Sequence, residues 1–171
     1  MPAEESRAPV DLDVLSLIRA LTNRGVEFVV VGGIGALLWG ADVVTRDLDI
    51  VPMATERNLD RLADSLVDLH AEVWFAGPVR NLHSGEWLRT SNTWNFVTPQ
   101  GYFDVLFVPS GTAGFEGLSQ SAQEVEIGDG VSVKVASLDD LIAMKEAAGR
   151  PKDLLVVPIL RWLKEREAED E

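Results

Sequence analysis

Two aspartates stand two residues apart in Arg46-Asp47-Leu48-Asp49-Ile50, and a third, Asp104, stands alone among apolar residues in Tyr102-Phe-Asp-Val-Leu-Phe107. Both stretches read as strands. Side chains two apart on a strand share a face, so Asp47 and Asp49 project together while Leu48 and Ile50 point into a core. Two carboxylates this close repel each other. A divalent cation turns that repulsion into binding, and Mg²⁺ is typically held by one or two carboxylates plus substrate phosphates. The plain alternative is a half-exposed strand with a polar face, although aspartate is disfavoured in strands. Asp104 needs a partner if it is buried, because an unpaired charge in an apolar setting is costly. If its strand lies beside the Asp47/Asp49 strand, three carboxylates converge. At an exposed strand end it is an ordinary surface acid.

A second element that can do chemistry is the turn Val31-Gly32-Gly33-Ile34-Gly35-Ala36. Glycines let a backbone approach phosphate oxygens, and a helix that follows presents unpaired N–H groups. Gly-Gly after a strand is also commonly a tight turn and nothing more. Gly33 and Gly35 begin a dinucleotide fingerprint, but position 38 is Leu where the third glycine belongs. The acid of a dinucleotide fold sits at the end of the second strand, whereas here two acids lie inside it.

Composition narrows the setting. The 171 residues carry 28 Asp+Glu against 15 Lys+Arg, a formal net charge of −13. Broad sequence-independent DNA binding relies on basic surface and does not suit such a chain; a cationic substrate does. There is no cysteine, which excludes disulfides, thiol nucleophiles and Cys-based zinc sites. Two histidines, His70 and His83, cannot make a His-rich metal centre, so a hard cation on carboxylates is the main metal chemistry left. No apolar run approaches the roughly 20 residues that span a bilayer, and the acidic N-terminus does not read as a secretory signal. The expected compartment is the cytoplasm.

The elements that must position these groups follow from patterning. Val10 to Asn23 has helical apolar spacing and Gly25 stops it. Val26 to Val31 is a β-branched buried strand, followed by a short apolar helix through Trp39. Arg46 to Pro52 is a second strand. Thr55 caps a helix with the stripe Leu59, Leu62, Ala63, Leu66 and Leu69. Ala71 to Phe75 reads as a strand and Gly77-Pro78 as a turn; residues 79–92 carry no clear pattern. Thr93–Thr98 and Tyr102–Val108 pair across Pro99-Gln-Gly101. Gly111 to Gln123 is loop or short helix, and Gly128-Asp-Gly130 joins a hairpin. Ser137-Leu-Asp-Asp140 resembles a capping box opening a helix to Ala148, ended by Gly149. Pro151 starts a last helix, which Pro158 should kink or divide, and the acidic tail should fray. The expectation is an α/β (α+β) fold with a mixed sheet flanked by helices. Residues 1–9 are a loose N-terminus, 10–166 one domain that is helical from about 137, and 167–171 an acidic tail.

The combination of Gly32-Gly33, Thr45-Arg46-Asp47-Leu48-Asp49-Ile50 and Asp104 resembles the polymerase-β-like nucleotidyltransferase superfamily. It is most similar to small bacterial abortive-infection and MenT-like toxin enzymes, and more distantly to antibiotic nucleotidyltransferases. Ser137 to Asp153 resembles the helical segment of that group, so the likeness covers most of residues 26–155. The resemblance implies a nucleotidyltransferase fold with a helical C-terminal segment. It implies Asp47, Asp49 and Asp104 as metal-binding and catalytic residues, with two Mg²⁺ ions (Mn²⁺ in their place) and Asp104 as a base toward the acceptor. Gly32, Gly33, Thr45, Arg46 and Lys145 would bind the nucleotide. The reaction implied is transfer of a nucleoside monophosphate from an NTP to a hydroxyl or phosphate, releasing pyrophosphate. The acceptor could be an RNA end such as tRNA, a protein or a small molecule. A toxin role would bring a cognate antitoxin, and a homo-oligomer is compatible. Many relatives carry Ser after the first glycine, where this chain has Gly33.

Other residues have everyday roles beside functional ones. Lys145 could equally lie on a solvated helix face, and Arg46 in a surface ion pair. Arg150, Lys152 and Asp153 read as helix punctuation, with Asp153 able to pair with Lys145 if the chain turns back. Trp87 and Trp94 could stack on a base, but packing is favoured; His70 and His83 are assigned to structure. Two other readings stay open: a non-catalytic binding or antitoxin-type protein of the same fold, and an NAD-binding oxidoreductase.

Overall fold

The computed structural model describes residues 10–74, 76–80 and 84–171. Helix α1 (Val14–Asn23) starts where Asp13 caps it, its carboxylate accepting the Ser16 amide at 3.1 Å and the Ser16 hydroxyl at 2.7 Å. The cap, rather than the apolar Val10, sets the first turn. Strand β1 (Phe28–Val31) runs directly into α2 (Gly32–Leu38), and β2 (Asp47–Pro52) follows. Thr55 caps α3 (Glu56–Asp68), accepting the Asn58 amide at 3.3 Å. Two short strands, β3 (Glu72–Val73) and β4 (Gly77–Pro78), pair antiparallel. The expected turn at Gly77-Pro78 is therefore strand, an edge position that proline tolerates. A short 3₁₀ helix (Glu86–Thr90) precedes β5 (Thr93–Thr98) and β6 (Gly101–Leu106). Then come α4 (Phe115–Ser121), the hairpin β7 (Gln123–Gly128) and β8 (Val131–Val135), α5 (Leu138–Ala148) and α6 (Pro151–Asp170). Among the described residues no helix is long and apolar enough to cross a membrane.

The strands form one mixed sheet in the order β4-β3-β5-β6-β2-β1-β8-β7. β1 pairs with β2 antiparallel, and β2 pairs with β6 parallel. This is not a dinucleotide-binding arrangement, in which the first two strands are parallel and joined by a crossover helix. The sheet separates two cores. On one face Val30, Leu48, Ile50, Phe96, Phe103 and Val105 pack with Leu17, Ile18 and Leu21 of α1 and Leu59, Leu62 and Leu66 of α3. On the other, Val29, Val31 and Val51 pack with Leu118 of α4, Leu138, Leu141 and Ile142 of α5, and Val157 and Leu160 of α6. Trp87, Trp94 and Phe96 belong to the first core: Trp94 meets Trp87 edge-on at 5.0 Å and stacks on Phe96 at 6.3 Å, with its indole N–H donating to Leu88 O at 2.8 Å. They are packing residues. His70, at a positive φ of 52°, follows α3, and His83 lies outside the described residues.

The C-terminal end differs from expectation. Pro158 does not divide α6, which runs unbroken to Asp170, so the acidic tail is helical. Pro158 and Leu154, the residue whose carbonyl loses its partner, both lie on the exposed side of the helix. Water can satisfy that carbonyl there, and the proline ring is exposed. At the other end of α6 the turn from α5 is held by Asp153, which is only 1% exposed. Its carboxylate accepts Arg150 Nε at 2.6 Å and Lys145 Nζ at 3.2 Å.

Burial pushes the Asp153 carboxyl up, but the hydrogen bonds and charges of Arg150 and Lys145 outweigh it and hold it below the ordinary 3.8. A lowered folded-state value means the stabilisation is present above the unfolded-state pKa and lost as pH falls through the folded one. Asp153→Asn is expected to cost on the order of 2 kcal/mol at pH 7. That is less than the roughly 3–5 kcal/mol of a fully buried pair, because Arg150 keeps water contact. Urea unfolding should show the gap between wild type and variant closing as pH falls below 3.8.

Candidate metal centre

The parallel register of β2 and β6 places Asp49 opposite Asp104 and Asp47 opposite Tyr102. In β2 the alternation puts Leu48 and Ile50 into one core, leaving Asp47 and Asp49 on the other face beside Val51. In β6 Phe103 and Val105 go inward in the same way, and Asp104 joins the acids. The result is a cluster in which Asp47, Asp49 and Asp104 each offer an oxygen within 4.8 Å of the others. Asp104 is 6% exposed and the other two are half-buried. Hard oxygen donors at this spacing suit a small divalent cation, so the cluster could bind a metal.

Without a cation the arrangement is strained electrostatically. Burial pushes the Asp49 carboxyl well above its usual range, the negative charges of Asp104 and Asp47 push it further, and a hydrogen bond with Asp104 adds to this. Lys145 acts in the opposite direction. Lys145 is thus electrostatically coupled to the acids while its ammonium rests on Asp153, with 21% of its side chain exposed. It is neither a simply solvated lysine nor a fully internal one. The pairing of Asp153 with Lys145 depends on α6 folding back on α5.

The glycine turn adjoins the acids because Val31, the last residue of β1, lies opposite Asp49. Gly32 has a φ of +66°, and a Cβ there would sit 2.1 Å from Asp49 Oδ2. Only glycine allows the chain to turn into α2 against that carboxylate. A Cβ on Gly33 would stand 2.6 Å from both Cβ and Oγ1 of Thr45. Thr45 therefore fills the space that a serine at position 33 would need, which accounts for the Gly-Gly form. Its hydroxyl donates to Asp47 O at 3.3 Å. Arg46 is exposed and has no hydrogen bond or ion pair among the described residues.

Two neighbours of the cluster are given no part in it by the sequence reading. Asn95, opposite Asp104 in β5, donates from Nδ2 to Asp104 Oδ1 at 2.9 Å. Trp74 packs edge-on against Tyr102, with ring centres 5.7 Å apart. The alternation Trp94-Asn95-Phe96 is the same pattern that picked out Asp104: one polar residue between apolar ones on a strand. A raised folded-state pKa at Asp49 places its contribution to stability below the unfolded-state value, and it is lost as pH rises through the folded value. In metal-free protein at pH 7.5, Asp49→Asn is therefore expected to raise the melting temperature. Each kcal/mol of relieved repulsion is worth about 2–4 °C at this chain length. The gain should vanish at acidic pH, and millimolar Mn²⁺ should stabilise wild type more than the variant; thermal melts across pH check both.

No protein-family model matches the chain, and no curated protein sequence matches it. Several solved structures share its architecture, among them the following two. A lincosamide antibiotic adenylyltransferase, LnuA, in its lincomycin-bound crystal structure superposes with a TM-score of 0.62 at 14% identity, covering 90% of this chain and all but 1% of that one (99%). A Thermotoga maritima protein carrying a provisional nucleotidyltransferase assignment superposes with a TM-score of 0.53 at 17% identity, covering 89% of this chain and 91% of that one. At such identities the likeness is one of fold. With its mixed sheet, glycine turn and converging acids, the chain adopts the nucleotidyltransferase fold.

Proposed function

We propose that the chain is a metal-dependent nucleotidyltransferase that moves a nucleoside monophosphate from a nucleoside triphosphate to an acceptor oxygen. The observation that carries this reading is the arrival of Asp104 beside Asp47 and Asp49 through the parallel register of β2 and β6. Asp47 and Asp49 hold the divalent cations, Mg²⁺ or Mn²⁺, with Asp104 completing the set. Held there, a divalent cation would supply charge stabilisation for an in-line displacement at the α-phosphorus. Asp104 accepts the proton of the acceptor hydroxyl as the new P–O bond forms and the bond to pyrophosphate breaks. Gly32 and Gly33 let the triphosphate lie close to the backbone, and Thr45 supplies a hydroxyl beside them. Lys145, poised between Asp49 and Asp153, meets phosphate oxygens, and Arg46 reaches them or the acceptor from the exposed side.

The acceptor class that the charge of −13 favours is a small, neutral or cationic molecule rather than RNA. LnuA, which shares the fold, is a lincosamide antibiotic adenylyltransferase seen with lincomycin bound. A toxin acting on RNA or protein, with its antitoxin, is the narrower reading that the resemblance to MenT-like enzymes supports. The three acids held together speak against a non-catalytic binder, in which a base and two metal ligands would have no chemistry to do.

Incubation with each labelled NTP, Mg²⁺ and a lysate resolved into small-molecule, RNA and protein fractions tests the proposal. Labelled product and pyrophosphate are expected from wild type. Asp47→Asn and Asp49→Asn should lose more than the roughly 10–100-fold typical of changes outside the ligand set. Lys145→Ala should weaken NTP binding about tenfold, the loss of one charge-assisted contact. A fully active Asp47→Asn/Asp49→Asn double variant overturns the assignment; NTP binding without pyrophosphate release points to the binder.

A further inference from the structure

We propose that Asn95 is a positioning residue for Asp104, fixing which oxygen of that carboxylate faces the acid cluster. The inference rests on reading the three acids as a cation site. Strand geometry places the Asp104 Cβ but not its carboxylate, since the terminal torsion of aspartate is broad and nearly two-fold. At 6% exposure, water has little access to hold it. Two groups hold it instead: Asn95 Nδ2 donates to Asp104 Oδ1 at 2.9 Å from the β5 side, and Asp49 shares a hydrogen bond with Asp104 within the cluster. A carboxylate only accepts, so the amide turns its NH₂ toward it. That commits Oδ1 to β5 and leaves Oδ2 for the face shared with Asp47 and Asp49.

Asn95 is itself held in place. Its neighbours Trp94 and Phe96 are stacked in the opposite core. It stands opposite Asp104 in the β5–β6 register, and its carbonyl accepts the N–H of Trp74, the residue after β3, at 2.9 Å. The donor is also neutral. A lysine or arginine in its place would orient Asp104 equally well, but its charge would compete with a cation for the carboxylates. An amide orients without competing, as outer-sphere partners of metal ligands commonly do.

The test is Mn²⁺ binding, followed by electron paramagnetic resonance and calorimetry on the full chain. Asn95→Leu, with the same branching of heavy atoms but without a donor, should bind Mn²⁺ about tenfold more weakly. Asn95→His, whose ring Nδ1 stands at the same reach from Cβ as the amide nitrogen, should restore most of that loss. If the leucine variant does not fold, Asn95→Ala deletes the same donor and carries the same expectation. Wild-type Mn²⁺ affinity in the donorless variant, or histidine no better than leucine, overturns the proposal. In a transfer assay kcat should fall in the donorless variant while KM for the NTP stays within about twofold; a change in KM alone also overturns it. A wild-type chain that binds Mn²⁺ but transfers nothing ends the transferase reading and leaves the Mn²⁺ comparison to decide Asn95. A wild-type chain with no Mn²⁺ affinity ends both.

Discussion

Repulsion among three carboxylates is the constraint around which this fold is arranged. Asp47, Asp49 and Asp104 present oxygens within 4.8 Å of one another, and in a half-buried setting such charges oppose folding. What holds them is the backbone ladder between β2 and β6, two central strands whose other faces carry Leu48, Ile50, Phe103 and Val105 into a fully buried core. Moving the acids apart would mean shifting the register, and a one-residue slip would drive the charges into that core and the apolar residues out. Hydrophobic burial on one face thus fixes an unfavourable electrostatic arrangement on the other. Clusters held together against their own repulsion are commonly sites where a ligand relieves it.

The surrounding elements moderate that repulsion without abolishing it. Lys145 lowers the charge penalty on Asp49, yet its ammonium is anchored on Asp153 rather than on the triad. Asp153 in turn is neutralised by Arg150 and sits in the first turn of α6, where a negative charge is favoured by the helix dipole. The cation is held near the acids but is not consumed by them, and the acids keep their capacity for a divalent ion. On the far side of the cluster Asn95 contributes a dipole instead of a charge. The two flanks therefore differ: a positive charge paired with Asp153 toward the helices, a neutral donor toward the sheet.

Close packing around the turn into α2 adds a steric limit. Asp49 Oδ2 occupies the space of a Cβ at position 32, and Thr45 that of a Cβ at position 33. Both glycines are needed for contact, not only for flexibility. The hydroxyl that a serine at position 33 would offer has its space taken by the Thr45 side chain, so a hydroxyl remains beside the turn though it comes from a different element.

Much of this was legible in the residue order because it depends on local patterning. Period-two alternation marked β2, a turn between apolar runs marked β5 and β6, threonine and serine marked two helix starts, and a spaced pair of aspartates with one lone acid marked the triad. Local reading went astray where neighbours decide. The carbonyl that Pro158 leaves unpaired falls on the solvent side of α6, so the helix continues. Gly77-Pro78 becomes strand because β3 offers it a partner, and a fingerprint-like glycine run leads into an antiparallel pair rather than a crossover. The sequence by itself determined which residues could carry charge on one face of a strand, since that follows from covalent geometry and a period of two. That β6 lies parallel beside β2 with Asp104 level with Asp49, that Asn95 completes the row, and that α6 returns Asp153 to Lys145 were decided only by the tertiary structure. Strand order and register come from burying two separate cores at once, which no local stretch of chain encodes.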